Sequence, residues 1–233
     1  MFTLYSADFT GNPGNCSYPH KTVVMNTDNL REAVCHDYVC AEYKNHYRNG
    51  ENFISADCLP VDCDNDHSED PKDWVTPADV LEAFPGVSIA IHYSRFNNRE
   101  KNGKPARPKF HVLFPIDRMT DATLYSDMKK LVNSIFPYFD TKALDAARFF
   151  FGTQEPNVEL YPGRMNLTEF LNDDEFDAGL PGGHEKDAVI PEGSRNAVMS
   201  RFAGIVIKKY GDSEKAYQSF LEKAATCVPP LDN

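Results

Sequence analysis

The 233-residue sequence lacks any apolar run near the length of a membrane span, and it lacks the basic-then-apolar start of a signal peptide. It also contains no internal repeat. From these absences we expect a soluble, intracellular protein with no membrane partner. Its length is enough for one large domain, or for one domain with an appendage.

Basic residues are too few for broad adhesion to nucleic acid, because 24 Lys and Arg stand against 35 Asp and Glu, a formal net charge of −11. Non-specific affinity for nucleic acid comes from neutralising phosphates with Lys and Arg. Any such binding therefore needs a local basic groove. One stretch of fifteen positions, 95–109, is rich in positive charge and holds Arg95, Arg99, Lys101, Lys104, Arg107 and Lys109.

The six cysteines lie in otherwise ordinary segments of a chain that is large enough to bury a core without covalent cross-links. This setting predicts reduced thiols rather than a disulfide framework. A zinc site built from Cys35, Cys40, Cys58, Cys63 and His67 is not expected, because their spacing is poor for tetrahedral ligation. We expect Cys63 to point into the core.

Apolar periodicity predicts irregularly alternating helices and strands, and hence an α+β fold rather than a doubly wound α/β fold. Strands are predicted over 52–55, 58–63, 87–93, 109–114 and 148–152, with a long polar connection over 97–107. Helices are predicted over 28–44, after Asp28, and over 76–84, where Thr76 and Pro77 make an N-terminal signal. Thr120 is the predicted N-cap of another helix, which Pro137 ends and whose apolar stripe is Leu124, Met128, Leu131, Val132 and Ile135.

The C-terminal part of the sequence differs in composition. Residues 171–192 are acidic and rich in Gly and Pro, which is typical of a linker. Two amphipathic helices are predicted over 194–210 and 212–226. We therefore expect a main domain over 1–170 and a small helical module over 193–233. The early end of that module suggests a piece of a longer protein.

Asp62 and Asp64 are the most informative residues. Two residues apart on a strand, their side chains project from one face and start about 6.6 Å apart, so they can converge on one divalent cation or bridge a pair. The other interpretation is a solvated acidic turn, since the sequence continues with Asn65, Asp66 and His67.

Lys109 and His111 share one face of the predicted strand over 109–114. His111 is either a hydrogen-bonded core histidine or part of a polar site beside the acidic strand. Asp140 either caps the turn that follows it or delivers a third carboxylate. Arg148 either pairs with Asp145 or neutralises a bound phosphate.

As a set, these residues supply ligands for cations and for anions together. Nucleotidyl transfer needs that combination, because two divalent ions about 3.5–4 Å apart activate the attacking 3′-hydroxyl and stabilise the leaving pyrophosphate. Basic side chains hold the triphosphate.

Three short motifs, in order, resemble those of the archaeo-eukaryotic primase superfamily, and more closely the primase-polymerases of phages and other mobile elements. The strand Leu59-Pro60-Val61-Asp62-Cys63-Asp64 resembles the first motif. Lys109-Phe110-His111-Val112 resembles the second, with Lys109 in place of the usual serine. Phe139-Asp140 before the strand at 148–151 resembles the third, with Asp145 as a rival acid. The resemblance covers roughly residues 50–165.

The resemblance implies an RRM-like mixed or antiparallel catalytic sheet flanked by helices, with a helical primase C-terminal module after the linker. It implies a template-dependent nucleotidyltransferase, a DNA primase and/or DNA polymerase that uses Mg²⁺ or Mn²⁺ held by Asp62, Asp64 and Asp140. The catalytic set would add His111, and the nucleoside triphosphate (NTP or dNTP) would be held by Ser94, Arg95, Lys109, His111 and Arg148.

The implied partners are single-stranded DNA template or primer-template, nucleoside triphosphates and a helicase module in the same or another chain. The implied setting is the cytoplasm of a bacterial host, with a phage as a possible source of the gene. Two other functions stay open, a metal-dependent nuclease that uses the same carboxylates and a replication-initiator module that binds DNA without catalysis.

Overall fold

The computed structural model describes residues 1–101, 103–172, 190–191, 199, 202–203 and 214–228. Its strands, in chain order, are β1 (Phe2–Ser6), β2 (His20–Val24), β3 (Tyr38–Val39), β4 (Glu42–Tyr43), β5 (Phe53–Cys63), β6 (Ile89–Tyr93), β7 (Arg99–Lys101), β8 (Lys104–Arg107), β9 (Phe110–Met119), β10 (Phe149–Phe150), β11 (Val158–Tyr161), β12 (Ile190–Pro191) and β13 (Cys227–Val228). The helices described are α1 (Thr27–Val34), α2 (Pro77–Ala83), α3 (Ala122–Ile135), α4 (Leu167–Asn172) and α5 (Glu214–Ala224).

Two antiparallel sheets form the body of the protein, so the predicted α+β class is confirmed. The central sheet has five strands in the order β11-β6-β9-β5-β4, and the second sheet has four in the order β10-β3-β1-β2. The strands predicted over 52–55 and 58–63 are one strand, β5, with a register irregularity between Ala56 and Cys58. A bulge of this kind lets one long strand bend without losing its partner.

The two faces of the central sheet are covered by different elements. Helices α2, α3 and α4 cover one face, where the ring centroid of buried Phe84 lies 4.9 Å from that of Phe114 and 6.2 Å from that of Phe136. The other face packs against the second sheet and α1, and Leu4 and Leu113 are fully buried there. Alternation along β5 and β9 therefore decides which side chains meet the helices and which meet the second sheet.

The prediction of a helix over 28–44 is correct for the first two turns and wrong beyond them. The helix α1 ends at Val34 and is capped by Asn26, whose side chain accepts from the Asn29 N–H. Beyond it, the buried carboxylate of Asp37 accepts hydrogen bonds from the backbone N–H groups of Gly11 and Gly152. The next residues form β3, between β1 and β10. Tertiary pairing overrides a helical spacing of apolar residues here.

The helix predicted after Thr76 is confirmed as α2, with a capping box in which Asp79 accepts from the Thr76 N–H at 2.7 Å. For α3, the predicted cap is wrong by one residue, because Asp121 accepts from the N–H groups at the start of that helix. The apolar stripe predicted for α3 is wrong at Leu124, which is 59% exposed. The inward position belongs to Tyr125, which is buried and donates to the Cys58 carbonyl.

The strand predicted over 148–152 is present as β10, and the polar connection over 97–107 is itself a two-stranded hairpin, β7-β8. All six cysteines are unpaired, and Cys63 is fully buried in the core beneath the helices, as expected. Among the described helices, none is both long and apolar enough to span a membrane.

The predicted linker over 171–192 and the helix predicted over 194–210 lie almost entirely outside the described residues. The helix α5 falls inside the range predicted for the last helix. The division into a domain over 1–170, a linker and a module over 193–233 stays a prediction.

Gly152 gives a direct test of the packing between the second sheet and the loop after α1. A Cβ there would lie 2.1 Å from the His36 carbonyl oxygen, whereas a Cβ at Gly50 would meet nothing within 4 Å. We expect Gly152→Ala to lower the free energy of unfolding by about 1–3 kcal/mol, and Gly50→Ala to change it by less than about 0.5 kcal/mol. Urea denaturation of both variants checks this, and equal effects would contradict the close approach.

Candidate active site

Three neighbouring strands place polar side chains in one row on the face that meets the second sheet. In the register of the central sheet, Asp62 on β5 stands opposite His111 on β9, and His111 stands opposite His92 on β6. Residues directly opposite one another in adjacent strands present their side chains to the same face. Further along β9, the same face is apolar at Leu113. The site therefore lies where the apolar interface between the two sheets ends.

Asp64 and Asp140 complete a group of three carboxylates with Asp62. Asp64 follows β5, and the Asp140 N–H donates to the Asp62 carbonyl at 2.7 Å, which ties the segment after α3 to the end of β5. One oxygen from each of the three carboxylates lies within 4.8 Å of the others. Asp140 also caps the following turn by accepting from the Lys142 N–H at 2.9 Å, so both interpretations of this residue hold.

Asp145, the rival third acid, has a different place. Its side chain accepts from the Ala147 N–H, and its carbonyl accepts from the buried ammonium of Lys129 at 2.7 Å. Arg148, which the sequence allowed as a partner of Asp145, instead lies with its Nη2 3.6 Å from Asp62 Oδ2.

Negative charge is incompletely balanced at Asp62. Burial, the largest cause, and the charges of Asp64 and Asp140 together raise the pKa of Asp62 from 3.8 to about 7, even though the charges of Arg148 and Lys109 act to lower it. Three carboxylates with an unmet demand for positive charge fit a divalent cation.

Lys109 is buried and extends toward residues 64–69, the acidic segment that follows β5. Its Nζ lies 3.0 Å from Asp64 Oδ1 and 3.4 Å from Asp66 Oδ1, and it donates to the Asp64 carbonyl at 2.9 Å. With Arg148 beside Asp62, this arrangement places one cationic side chain against each of two carboxylates. The site thus contains groups suited to a cation and groups suited to an anion.

His111 is almost fully enclosed and is electrically neutral near pH 7. Burial lowers its pKa from 6.5 to about 3, although the Asp64 carboxylate acts in the opposite direction. Its Nε2 faces Asp62 Oδ1 at 3.8 Å, a separation too long for a hydrogen bond. Because the ring is neutral, this contact is not an ion pair.

Ser94 and Arg95 lie at the end of β6, beside this row. The Ser94 N–H donates to the Lys109 carbonyl at 2.9 Å, which extends the pairing of β6 with β9. The Arg95 guanidinium lies 4.2 Å from the ring centroid of Phe151. Their described contacts are with the backbone and an aromatic ring rather than with the three carboxylates.

The basic hairpin β7-β8 is anchored to the acidic segment by Arg107. That side chain is fully buried and donates to the Asn65 carbonyl at 2.7 Å and to Glu69 at 2.9 Å. Asp66, which the sequence suggested was a simple turn residue, pairs with Lys104 at 3.3 Å as well as with Lys109. Asp66 therefore links the hairpin to the lysine that contacts the acidic group.

An open cavity of about 210 Å³ adjoins the carboxylates. Asp64 and Asp140 form part of its wall, together with His67, Lys142 and Tyr138, which is 45% exposed. Asp64 and Asp140 are therefore accessible to a ligand from solvent.

Sequence reasoning missed Tyr38 and His92, which both contact His111. The Tyr38 hydroxyl lies 3.0 Å from His111 Nδ1 and 3.1 Å from His92 Nδ1. His92 belongs to a strand that was predicted as buried, and its alternation with Ile91 was the available signal. Tyr38 had no such signal, because it lay in a segment predicted as helix.

The protein thus has a mixed α+β fold with a group of three acidic side chains that could hold a metal ion. Neither the family models nor the curated proteins contain a match to the chain. Among solved structures, the AEP domain of the primase-polymerase of cyanophage S-2L is similar, with 13% sequence identity, 70% of this chain and 81% of that chain covered, and a TM-score of 0.39.

Stability without metal should depend on Asp62 and pH. Because the folded protein holds a proton on Asp62 that the unfolded chain loses near pH 4, stability from this group falls as the pH rises from about 4 to about 7 and then levels. We expect Asp62→Asn to remove this pH-dependent loss of stability. The melting temperature of the variant, relative to that of the wild type, should therefore be higher at pH 8 than at pH 5. Thermal denaturation in a chelator measures this difference, and a pH-independent difference would contradict the raised pKa.

A bound divalent cation should offset the loss of stability that accompanies ionisation of Asp62. At pH 8, where Asp62 is ionised, we expect millimolar Mn²⁺ or Mg²⁺ to raise the melting temperature of the wild type, because a ligand that binds only the folded state stabilises it. At pH 5, protons compete and the increase should be smaller. Asp62→Asn should lose most of the increase, whereas Asp127→Asn, which alters an exposed ion pair with Lys130 on α3, should retain it.

Proposed function

We propose that this protein is a template-dependent nucleotidyltransferase, a DNA primase and/or DNA polymerase that adds nucleotides from NTP or dNTP to a 3′-hydroxyl. The observation that carries the proposal is the meeting of Asp62, Asp64 and Asp140 within 4.8 Å, with Lys109 and Arg148 against two of them. Phosphoryl transfer consists mainly of positioning and charge stabilisation, so a site with both kinds of charged group suits it.

The three carboxylates are the residues that would hold Mg²⁺ or Mn²⁺. Such ions, when bound, supply positive charge for the attacking hydroxyl and for the leaving pyrophosphate. The raised pKa of Asp62 supports this role, because a buried carboxylate beside two others is destabilised until positive charge compensates it.

Lys109, Arg148 and His111 are the residues that would hold the triphosphate, with Ser94 and Arg95 at the edge of the same face. In the absence of ligand, Lys109 neutralises Asp64 and Arg148 lies near Asp62. Compensation of the carboxylates by a cation would free both basic side chains for phosphate oxygens. His111 would contribute a neutral hydrogen-bonding group, which its burial favours.

The template would lie along the basic hairpin β7-β8. Its anchor at Arg107 holds the hairpin beside the acidic segment, so positive charge stands next to a metal site in a protein of net charge −11. Binding of single-stranded DNA or primer-template would then be local and dependent on salt. A helicase module in the same or another chain is a further proposed partner, and the C-terminal helical module would assist template binding.

The test is an extension assay with the full 233-residue chain, single-stranded template with and without a primer, labelled NTP or dNTP, and Mg²⁺ or Mn²⁺. We expect template-dependent products, which Asp62→Ala/Asp64→Ala lowers by at least about 100-fold, since the loss of a single outer contact of a metal site already costs about 10–100-fold. Asp127→Asn should keep wild-type activity as a matched loss of one carboxylate.

The possible outcomes separate the three candidate functions. Degradation of template without extension would favour a metal-dependent nuclease, and DNA binding without either reaction would favour a replication-initiator module. Full polymerase activity in the double variant would contradict the assignment of the site whatever the function.

A further inference from the structure

Behind the carboxylates, a buried chain of hydrogen-bonding side chains leads to His111. The Tyr38 hydroxyl lies within 3.1 Å of Nδ1 of both His111 and His92, and the two Nδ1 atoms lie 3.3 Å apart. On the far side, His92 Nε2 lies 3.3 Å from Thr153 Oγ1. Tyr38 and His92 are fully buried, and His111 is 6% exposed.

The numbers of hydrogen-bond donors and acceptors in these side chains allow only certain positions for their protons. A phenol has one proton to donate, and a neutral imidazole carries its proton on one of its two nitrogens. If both Nδ1 atoms were protonated, the phenolic proton of Tyr38 could bind neither ring. If both were unprotonated, Tyr38 could donate to only one, and the other would be a buried acceptor without a donor. One Nδ1 must therefore carry a proton and the other must not.

The contact on the opposite side of His111 decides which ring has the Nδ1 proton. His111 Nε2 faces the Asp62 carboxylate, an acceptor, so the ring is stabilised when its proton is on Nε2. Its Nδ1 then accepts from the Tyr38 hydroxyl, and the Tyr38 oxygen accepts from His92 Nδ1. His92 Nε2 is left to accept from the hydroxyl of Thr153, which completes the chain from Thr153 to His111 Nδ1 and leaves His111 Nε2–H directed at the carboxylate site.

We propose that Tyr38 is a positioning residue, which together with His92 holds His111 in the tautomer that presents Nε2–H to the carboxylate site, where it donates to a phosphate oxygen of the nucleoside triphosphate. The tautomer follows from the hydrogen bonds of Tyr38 together with the Asp62 carboxylate that faces Nε2, and only the identity of its ligand rests on the proposed function. In the other tautomer, His111 would present a lone pair, which repels a phosphate oxygen.

A ring contact with Phe150 keeps His111 in this orientation. Its ring centroid lies 4.6 Å from that of Phe150, and the ring of Tyr38 stacks on the same phenylalanine at 5.6 Å. Both rings are thus held by a shared apolar neighbour, and the hydroxyl of Tyr38 favours the same proton position as the Asp62 carboxylate by donating to His111 Nδ1. Loss of that hydroxyl should alter the tautomer with little change in packing.

The tautomer is measured by nitrogen NMR of histidine-labelled protein at pH 8 without metal, with signals assigned from His92→Gln and His111→Gln. We expect the wild type to show a protonated Nε2 in His111 and a protonated Nδ1 in His92. Tyr38→Phe should convert His111 to a mixture of tautomers. Thr153→Val, at the distal end of the chain, should shift the same equilibrium if Tyr38→Phe fails to fold.

The matched control is Tyr125→Phe, which removes another buried tyrosine hydroxyl, one that donates to the Cys58 carbonyl at 2.7 Å. It should leave both histidine tautomers unchanged. A wild-type His111 protonated on Nδ1 would overturn the proposal. So would a His111 signal that does not change in a folded Tyr38→Phe or Thr153→Val variant.

A kinetic measurement tests the role in nucleotide binding separately. We expect Tyr38→Phe to raise KM for the nucleoside triphosphate by about 10-fold, with a smaller change in kcat. An unchanged KM alongside an altered tautomer would overturn the role in nucleotide binding. If the wild type has the expected tautomer but no polymerase activity, the proposed function fails while the assignment of the tautomer to Tyr38 is supported.

Discussion

The register of β5 against β9 is the constraint on which the rest of the site depends. Pairing Asp62 with His111 places both on the face toward the second sheet, and it places Val61 and Val112 in the core beneath the helices. A slip of one residue would turn the acids toward the helices, and it would turn Val61 and Val112 toward the second sheet. Core packing therefore holds the carboxylates together, because their mutual repulsion alone would separate them.

The acidic group has an electrostatic cost that its surroundings offset only in part. The ammonium of Lys109 and the guanidinium of Arg148 are each close to one carboxylate, yet burial and the neighbouring acids still raise the pKa of Asp62 to about 7. Native proteins retain such unfavourable arrangements mainly at functional sites. The two basic side chains that reduce this electrostatic cost, Lys109 and Arg148, are also the ones that would bind a triphosphate. Folding and the proposed function therefore depend on the same two residues.

Local signals in the sequence were sufficient wherever contacts between residues close together in the sequence decide the structure. The N-terminal signal of Thr76 and Pro77 predicted α2, and alternation along 109–114 placed the His111 side chain on the face opposite that of Val112. The helix over 28–44 failed because Asp37 and the residues after it bind segments far away in the chain, which no local pattern encodes. Leu124 failed for a similar reason, since the choice of inward residue on α3 depended on a carbonyl of β5 that Tyr125 reaches.

By itself, the sequence determined the α+β class and the opposite faces of His111 and Val112, because the period of two in a strand depends only on local geometry. Only the tertiary structure decided that Asp140 rather than Asp145 joins the acids, that Arg148 lies beside Asp62, and that Tyr38 and His92 lie behind His111. Those choices depend on how strands pair and how loops return to the sheet. They follow from contacts between residues distant in sequence, whose free energies arise only when the whole core has formed.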